Sequence, residues 1–136
     1  MSKWWIVRSK LEWLPFLRWR EDLKIRSEGS PGQLISTLSG GNQQKVLLAR
    51  WFQRQSKVLL LVEPTRGVDV GARADIYEIL RKTAQADGRA VIIATSDGDE
   101  VVQVADRVLV MDRGTIATEI VGDNITGSAL ALAVGN

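Results

Sequence analysis

Two rhythms of apolar residues run along this chain, one helical and one extended. Residues 2–14 read as a helix, and residues 16–25 read as helix again, with Pro15 interrupting the run or starting a new turn. Residues 27–33 (SEGSPGQ) form a loop by composition. Residues 35–38 lead into a glycine corner, and residues 42–54 continue as a helix with mixed polar and apolar character. After a short link come five apolar residues in a row at 58–62, a length that fits a buried parallel strand. Residues 72–86 predict a helix, because Ile76, Ile79, Leu80 and Thr83 recur at helical spacing and Asp87-Gly88 ends the run. Residues 90–95 predict a second buried strand, so strand, helix and strand imply a right-handed parallel crossover. Residues 99–104 read as a short helix. Residues 115–121 pair as a strand in a hairpin turned at Gly114, and residues 126–134 read as a last helix capped by Thr126 or Asn124.

This is an α/β pattern, and 136 residues suffice for one modest domain with a real core. The chain is 45% hydrophobic and 25% charged, as in a soluble globular protein. No apolar run reaches the roughly 20 residues of a membrane span, and the start has no clean signal-peptide pattern. With no Cys there are no disulfides, and with no His the usual proton shuttle and commonest transition-metal ligand are missing.

The small net charge of +2 is unevenly placed. Residues 1–26 carry seven Lys/Arg against three Asp/Glu, whereas residues 27–136 carry eleven against thirteen. Four of the five Trp (Trp4, Trp5, Trp13 and Trp19) lie in the same basic segment. Such an arm could touch a membrane surface or a nucleic acid. The favoured reading is an amphipathic helix whose Trp side chains pack on the rest of the domain, because Leu11, Leu14 and Leu17 add an apolar stripe.

Candidate chemistry starts at Leu38-Ser39-Gly40-Gly41-Asn42-Gln43-Gln44-Lys45. Two glycines permit close approach, and a helix beginning there offers free N–H groups and the positive end of its dipole, which suits a phosphate. Ser-Gly-Gly alone would equally be a serine-capped helix after a glycine turn. Glu63 follows the first strand, at the sheet edge where ligands bind in open α/β folds, although an isolated Glu there is more often a surface loop residue.

The full run LSGGNQQKV resembles the signature motif of ATP-binding cassette (ABC) ATPases, in the form found in bacterial sugar importers. VLLLVEPTRGVDVG resembles the same family's Walker B strand, catalytic glutamate and D-loop, and ADRVLVMDRG resembles its closing strand and turn. The resemblance, over about residues 20–134, implies a partial P-loop NTPase-type domain, a mainly parallel sheet flanked by helices with a C-terminal β-hairpin and helix. Residues 1–26 would be a basic, Trp-rich helical leader and residues 27–136 the C-terminal half of an ABC ATPase domain.

The resemblance also assigns roles. Glu63 is the catalytic glutamate. Leu38, Ser39, Gly40, Gly41 and Gln43 bind nucleotide in trans, with Ser39 donating to a γ-phosphate oxygen. Gly67 and Asp69 belong to the D-loop interface, and Glu100 stands near a position where the family carries an acidic residue. Ser96 takes the place of the usual switch histidine, and a serine there points to the second of two fused cassettes. Val62 replaces the usual Asp, so no metal ligand is assigned, because hydrated Mg²⁺ wants oxygen partners. ATP and Mg²⁺ are the cofactors implied.

No G-x-x-x-x-G-K-[ST] run occurs in the chain, and the adenine-stacking aromatic and glutamine loop are not found in residues 1–37. The expectation is therefore a truncated or degenerate portion of the ATP-binding, ATP-hydrolysing component of a carbohydrate ABC importer, with a sheet short of strands and little hydrolysis by itself. Expected partners are a second ABC cassette, a membrane permease and, indirectly, a periplasmic sugar-binding protein, with no nucleic acid. The expected location is cytoplasmic, peripheral to the inner face of the cell membrane. The alternatives are a non-catalytic module docking on a complete ABC ATPase or permease, and a gene remnant.

Overall fold

In a computed structural model, which describes residues 9–30 and 32–135, the chain divides into two compact units. The first comprises residues 1–56 and 65–76, and the second residues 57–64 and 77–136. Trp4 and Trp5 lie outside the described residues.

In the first unit, helix α1 (Ser9–Asp22) continues through Pro15 instead of breaking there. Proline lacks the N–H that would bond one turn back. Tertiary packing supports this stretch: Trp19 is half-buried, its ring centroid 5.8 Å from that of Phe52. Offset aromatic pairs at such separation attract beyond their simple burial.

A 3₁₀ turn (Ile35–Thr37) precedes helix α2 (Gly40–Phe52). The helix starts at Gly40 itself, two residues before the first position expected from periodicity. Its buried positions are Gly41, Lys45, Leu48, Ala49 and Phe52, one stripe at helical spacing. Leu23, Ile25, Val68 and Ile76 complete the apolar interior of this unit.

In the second unit, β1 (Val58–Val62) leads to helix α3 (Val70–Asp87) and then to β2 (Ala90–Ala94). The boundary between units falls inside α3, after Ile76. β1 and β2 pair in parallel, with Leu60 opposite Ile92. The expectation that both strands are buried is corrected here. Leu59 is buried, but Val58, Leu60, Val62, Ala90, Ile92 and Ala94 all stand exposed on the other face. A two-stranded sheet covered on one side leaves every second residue in solvent.

Helix α4 (Gly98–Val104) is capped by Asp97, whose side chain accepts from the N–H groups of Asp99 and Glu100. β3 (Arg107–Asp112) and β4 (Thr115–Val121) form an antiparallel hairpin with an irregularity between Val110 and Met111. Arg113 and Gly114 both have positive φ, 45° and 82°, as a two-residue hairpin turn of the primed kind requires. Helix α5 (Gly127–Val134) closes the chain, and its cap is Thr126, which accepts from Ala129 N–H. No helix among the described residues is long and apolar enough to cross a membrane.

Candidate functional site

The first group of predicted residues meets where α2 begins. Leu38 and Ser39 are extended, and the chain turns into helix at Gly40. Serine at this position usually caps its own helix. Here the Ser39 side chain makes no capping bond. Its Oγ instead accepts from Asn42 Nδ2 at 2.8 Å, and Asn42 Oδ1 accepts from the backbone N–H of Arg26 at 2.9 Å. Gln43 reaches back to the same corner, its Nε2 donating to the Leu38 carbonyl at 2.8 Å. Ser39 and Gly40 are exposed, so the corner faces solvent.

The corner is seated on the segment that carries Gly67 and Asp69. A Cβ at Gly40 would stand 3.5 Å from the Gly67 carbonyl oxygen, an ordinary contact. A Cβ at Gly41 would lie 2.5 Å from Ala72 Cβ, far inside van der Waals distance. Glycine at 41 is therefore required by the approach of α2 to the start of α3. Gly67 has φ +75°, a conformation that side-chain-bearing residues rarely adopt. Asp69 Oδ1 accepts from Ala72 N–H at 3.0 Å, capping α3.

Deeper in the same unit, Lys45 is buried and its Nζ donates to Asp75 Oδ2 at 2.7 Å. This hydrogen bond, assisted by the Lys45 charge and more weakly by Lys24 and Arg26, holds the Asp75 carboxyl below its ordinary value of 3.8 against the opposing effect of burial. The pair joins α2 to α3 one turn beyond the glycine contact. Periodicity could not have found it, since the partners are 30 residues apart.

Glu63 and Ser96 come together in the second unit. Glu63 Oε1 accepts from Ser96 N–H and from Ser96 Oγ, each at 3.0 Å, and Oε2 accepts from Thr95 Oγ1 at 3.2 Å. Glu63 has φ +47°, so the chain leaves β1 through a strained residue. Its carboxylate is thereby held against the loop that follows β2. Val62 is 72% exposed, and its side chain offers no oxygen. No group of three or more His, Cys, Asp or Glu among the described residues could hold a metal ion. Glu63 is the carboxylate the strand end presents, beside the hydroxyls of Thr95 and Ser96. Glu100 is buried in α4.

In element order and strand pairing the chain has the fold of part of an ABC ATPase cassette. The fold is similar to that of a metal-chelate type ABC transporter in an inward-facing conformation, with a TM-score of 0.77 at 22% identity over 98% of this chain and 53% of the other. It is also similar to a dimeric bacterial ABC transporter cassette, with a TM-score of 0.70 at 22% identity over 88% and 50%. At sequence level, residues 11–66 match the ABC transporter family model. The chain is 54% identical over 101 residues to the arabinose import ATP-binding protein AraG of Pseudomonas savastanoi pv. phaseolicola, covering 74% of this chain and 20% of that protein. It is 51% identical over 113 residues to the ribose import ATP-binding protein RbsA 1 of Streptomyces avermitilis, covering 82% and 21%. Over these stretches the chain is similar to the ATP-binding proteins of ABC sugar importers. It spans about a fifth of the length of the curated relatives it matches.

Proposed function

We propose that the chain is part of the ATP-binding component of a carbohydrate ABC importer. Its corner at Ser39, Gly40 and Gly41 closes over the terminal phosphate of ATP held on the phosphate loop of a second cassette. The supporting observation is an exposed Ser39 hydroxyl that does not cap its own helix and lies beside the N–H groups that open α2. Hydroxyl and main-chain donors aimed at an anionic oxygen form charge-assisted hydrogen bonds. Gly67 and Asp69 extend the same face, as an interface with the second cassette requires. The matched relatives are named for arabinose and ribose import, so a pentose is the cargo class we assign to the assembly. A permease would carry the sugar across the membrane, with a periplasmic sugar-binding protein upstream of it. The working location is the cytoplasmic face of that membrane.

Hydrolysis by the chain's own strand end is the weaker part of this function. The Val62 side chain provides no carboxylate for hydrated Mg²⁺, and the Glu63 carboxylate accepts from Thr95 and Ser96. These features favour a second reading, in which the chain contributes the corner to a partner's nucleotide and supplies no general base.

The test is association of the full chain with an intact ABC cassette loaded with ATP, compared with the same cassette loaded with ADP. ATP-dependent binding is expected, weakened about tenfold by Ser39→Ala, the usual scale for a hydrogen bond to a charged group. Equal binding with ADP, or indifference to Ser39→Ala, overturns the proposal.

A further inference from the structure

We propose that Asn42 is a positioning residue that turns the Ser39 hydroxyl into an outward donor, and that the main chain at Arg26 sets it. The proposal rests on the reading of Ser39 as a phosphate donor.

A carboxamide has one donor end and one acceptor end. The backbone N–H of Arg26 can only donate, and it lies 2.9 Å from Asn42 Oδ1. That contact settles which way the amide faces. It turns Nδ2 toward Ser39 Oγ at 2.8 Å, and an NH₂ group can only donate. Ser39 Oγ therefore accepts from Asn42, and its own proton is left for a different acceptor.

With the amide reversed, the Ser39 proton would point into the Asn42 carbonyl, and the corner would present lone pairs to an incoming anion. A hydroxyl already accepting one hydrogen bond is also polarised toward donating another. The Arg26–Asn42–Ser39 chain thus suits the corner to an acceptor-only oxygen, such as that of a terminal phosphate. It links the segment after α1 to the corner, so the main chain at Arg26 takes part in the site.

A double-mutant cycle on the full chain, read as affinity for the ATP-loaded cassette, tests this. Asn42→Leu keeps the approximate size of the side chain and removes both hydrogen bonds. It is expected to weaken association by about three- to tenfold, with Ser39→Ala weakening it about tenfold. The double variant is expected to be no more than about twofold worse than Ser39→Ala alone, because Asn42 acts through Ser39. Losses that simply multiply would overturn the positioning role while leaving the phosphate reading intact. Indifference to Ser39→Ala would overturn the phosphate reading, and this proposal with it. A second measurement needs no partner. The side-chain amide resonances of Asn42 in the ¹⁵N spectrum of the full chain should shift on Ser39→Ala, and unmoved resonances would sink the relay.

Discussion

The ammonium of Lys45, 5% exposed, donates to Oδ2 of Asp75, 44% exposed, at 2.7 Å. The partners are unequally buried, so removing one is not equivalent to removing the other. Asp75→Asn leaves a buried ammonium without its counter-charge, which costs several kcal/mol when both partners are buried. With Asp75 nearly half in solvent, screening reduces that cost to about 1–2 kcal/mol. Lys45→Met leaves a carboxylate that water can reach, and should cost less. Urea unfolding of both variants checks the order.

The same pair predicts a pH dependence. Asp75 is held below its ordinary carboxyl value by the Lys45 hydrogen bond first, so it binds protons less readily folded than unfolded. Its contribution is fully present above the unfolded value, near 3.8, and is lost as pH falls through the depressed folded value. The difference in Tm between wild type and Asp75→Asn should therefore hold from neutrality down to about pH 5. It should shrink steadily below pH 4.

Gly41→Ala forces a new methyl to within 2.5 Å of Ala72 Cβ. Overpacking of this kind costs about 1–3 kcal/mol. Ala72→Gly in the same chain removes the obstruction, and the double variant should recover most of the lost stability, less roughly 1 kcal/mol for glycine in a helix. Gly40→Ala meets the Gly67 carbonyl at ordinary distance and should be nearly neutral for folding. Thermal denaturation of the four variants decides whether the two neighbouring glycines have different reasons for being there.

At the end of β1, Ser96→Ala removes the side-chain hydrogen bond to Glu63 and leaves the main-chain bond from Ser96 N–H. A loss of about 0.5–1 kcal/mol is expected. Glu63→Ala removes both carboxylate oxygens and keeps the left-handed backbone, so it should cost more than Glu63→Gly, which relieves the strain at φ +47°. Equal stability of the Ala and Gly variants would show that the backbone stores no strain there.

Trp19→Ala should destabilise the first unit, by about 1–3 kcal/mol for a half-buried aromatic side chain. Exchange of α1 amides with solvent should rise together with that loss, because Trp19 faces Phe52.

What was legible in the residue order was whatever depends on neighbours within a turn or two. The run from residue 42 announces a helix before any partner is known, although not that Gly41 and Lys45 lie on its buried face. The apolar runs at 58–62 and 90–94 announce strands, and Gly114 announces a hairpin turn. The LSGGNQQKV and VLLLVEPTRGVDVG runs carried the family, because their residues sit close together in the chain. Tertiary structure alone decided the rest. It chose Asp75 as the partner of Lys45, Ala72 as the neighbour of Gly41, and Arg26 as the group that orients Asn42. It carried α1 through Pro15 and left Val58, Leu60 and Val62 exposed where their composition promised burial. Periodicity reports which side of an element is apolar. Which residue meets that side depends on how segments 16 to 33 positions apart are brought together, and no local pattern encodes that distance.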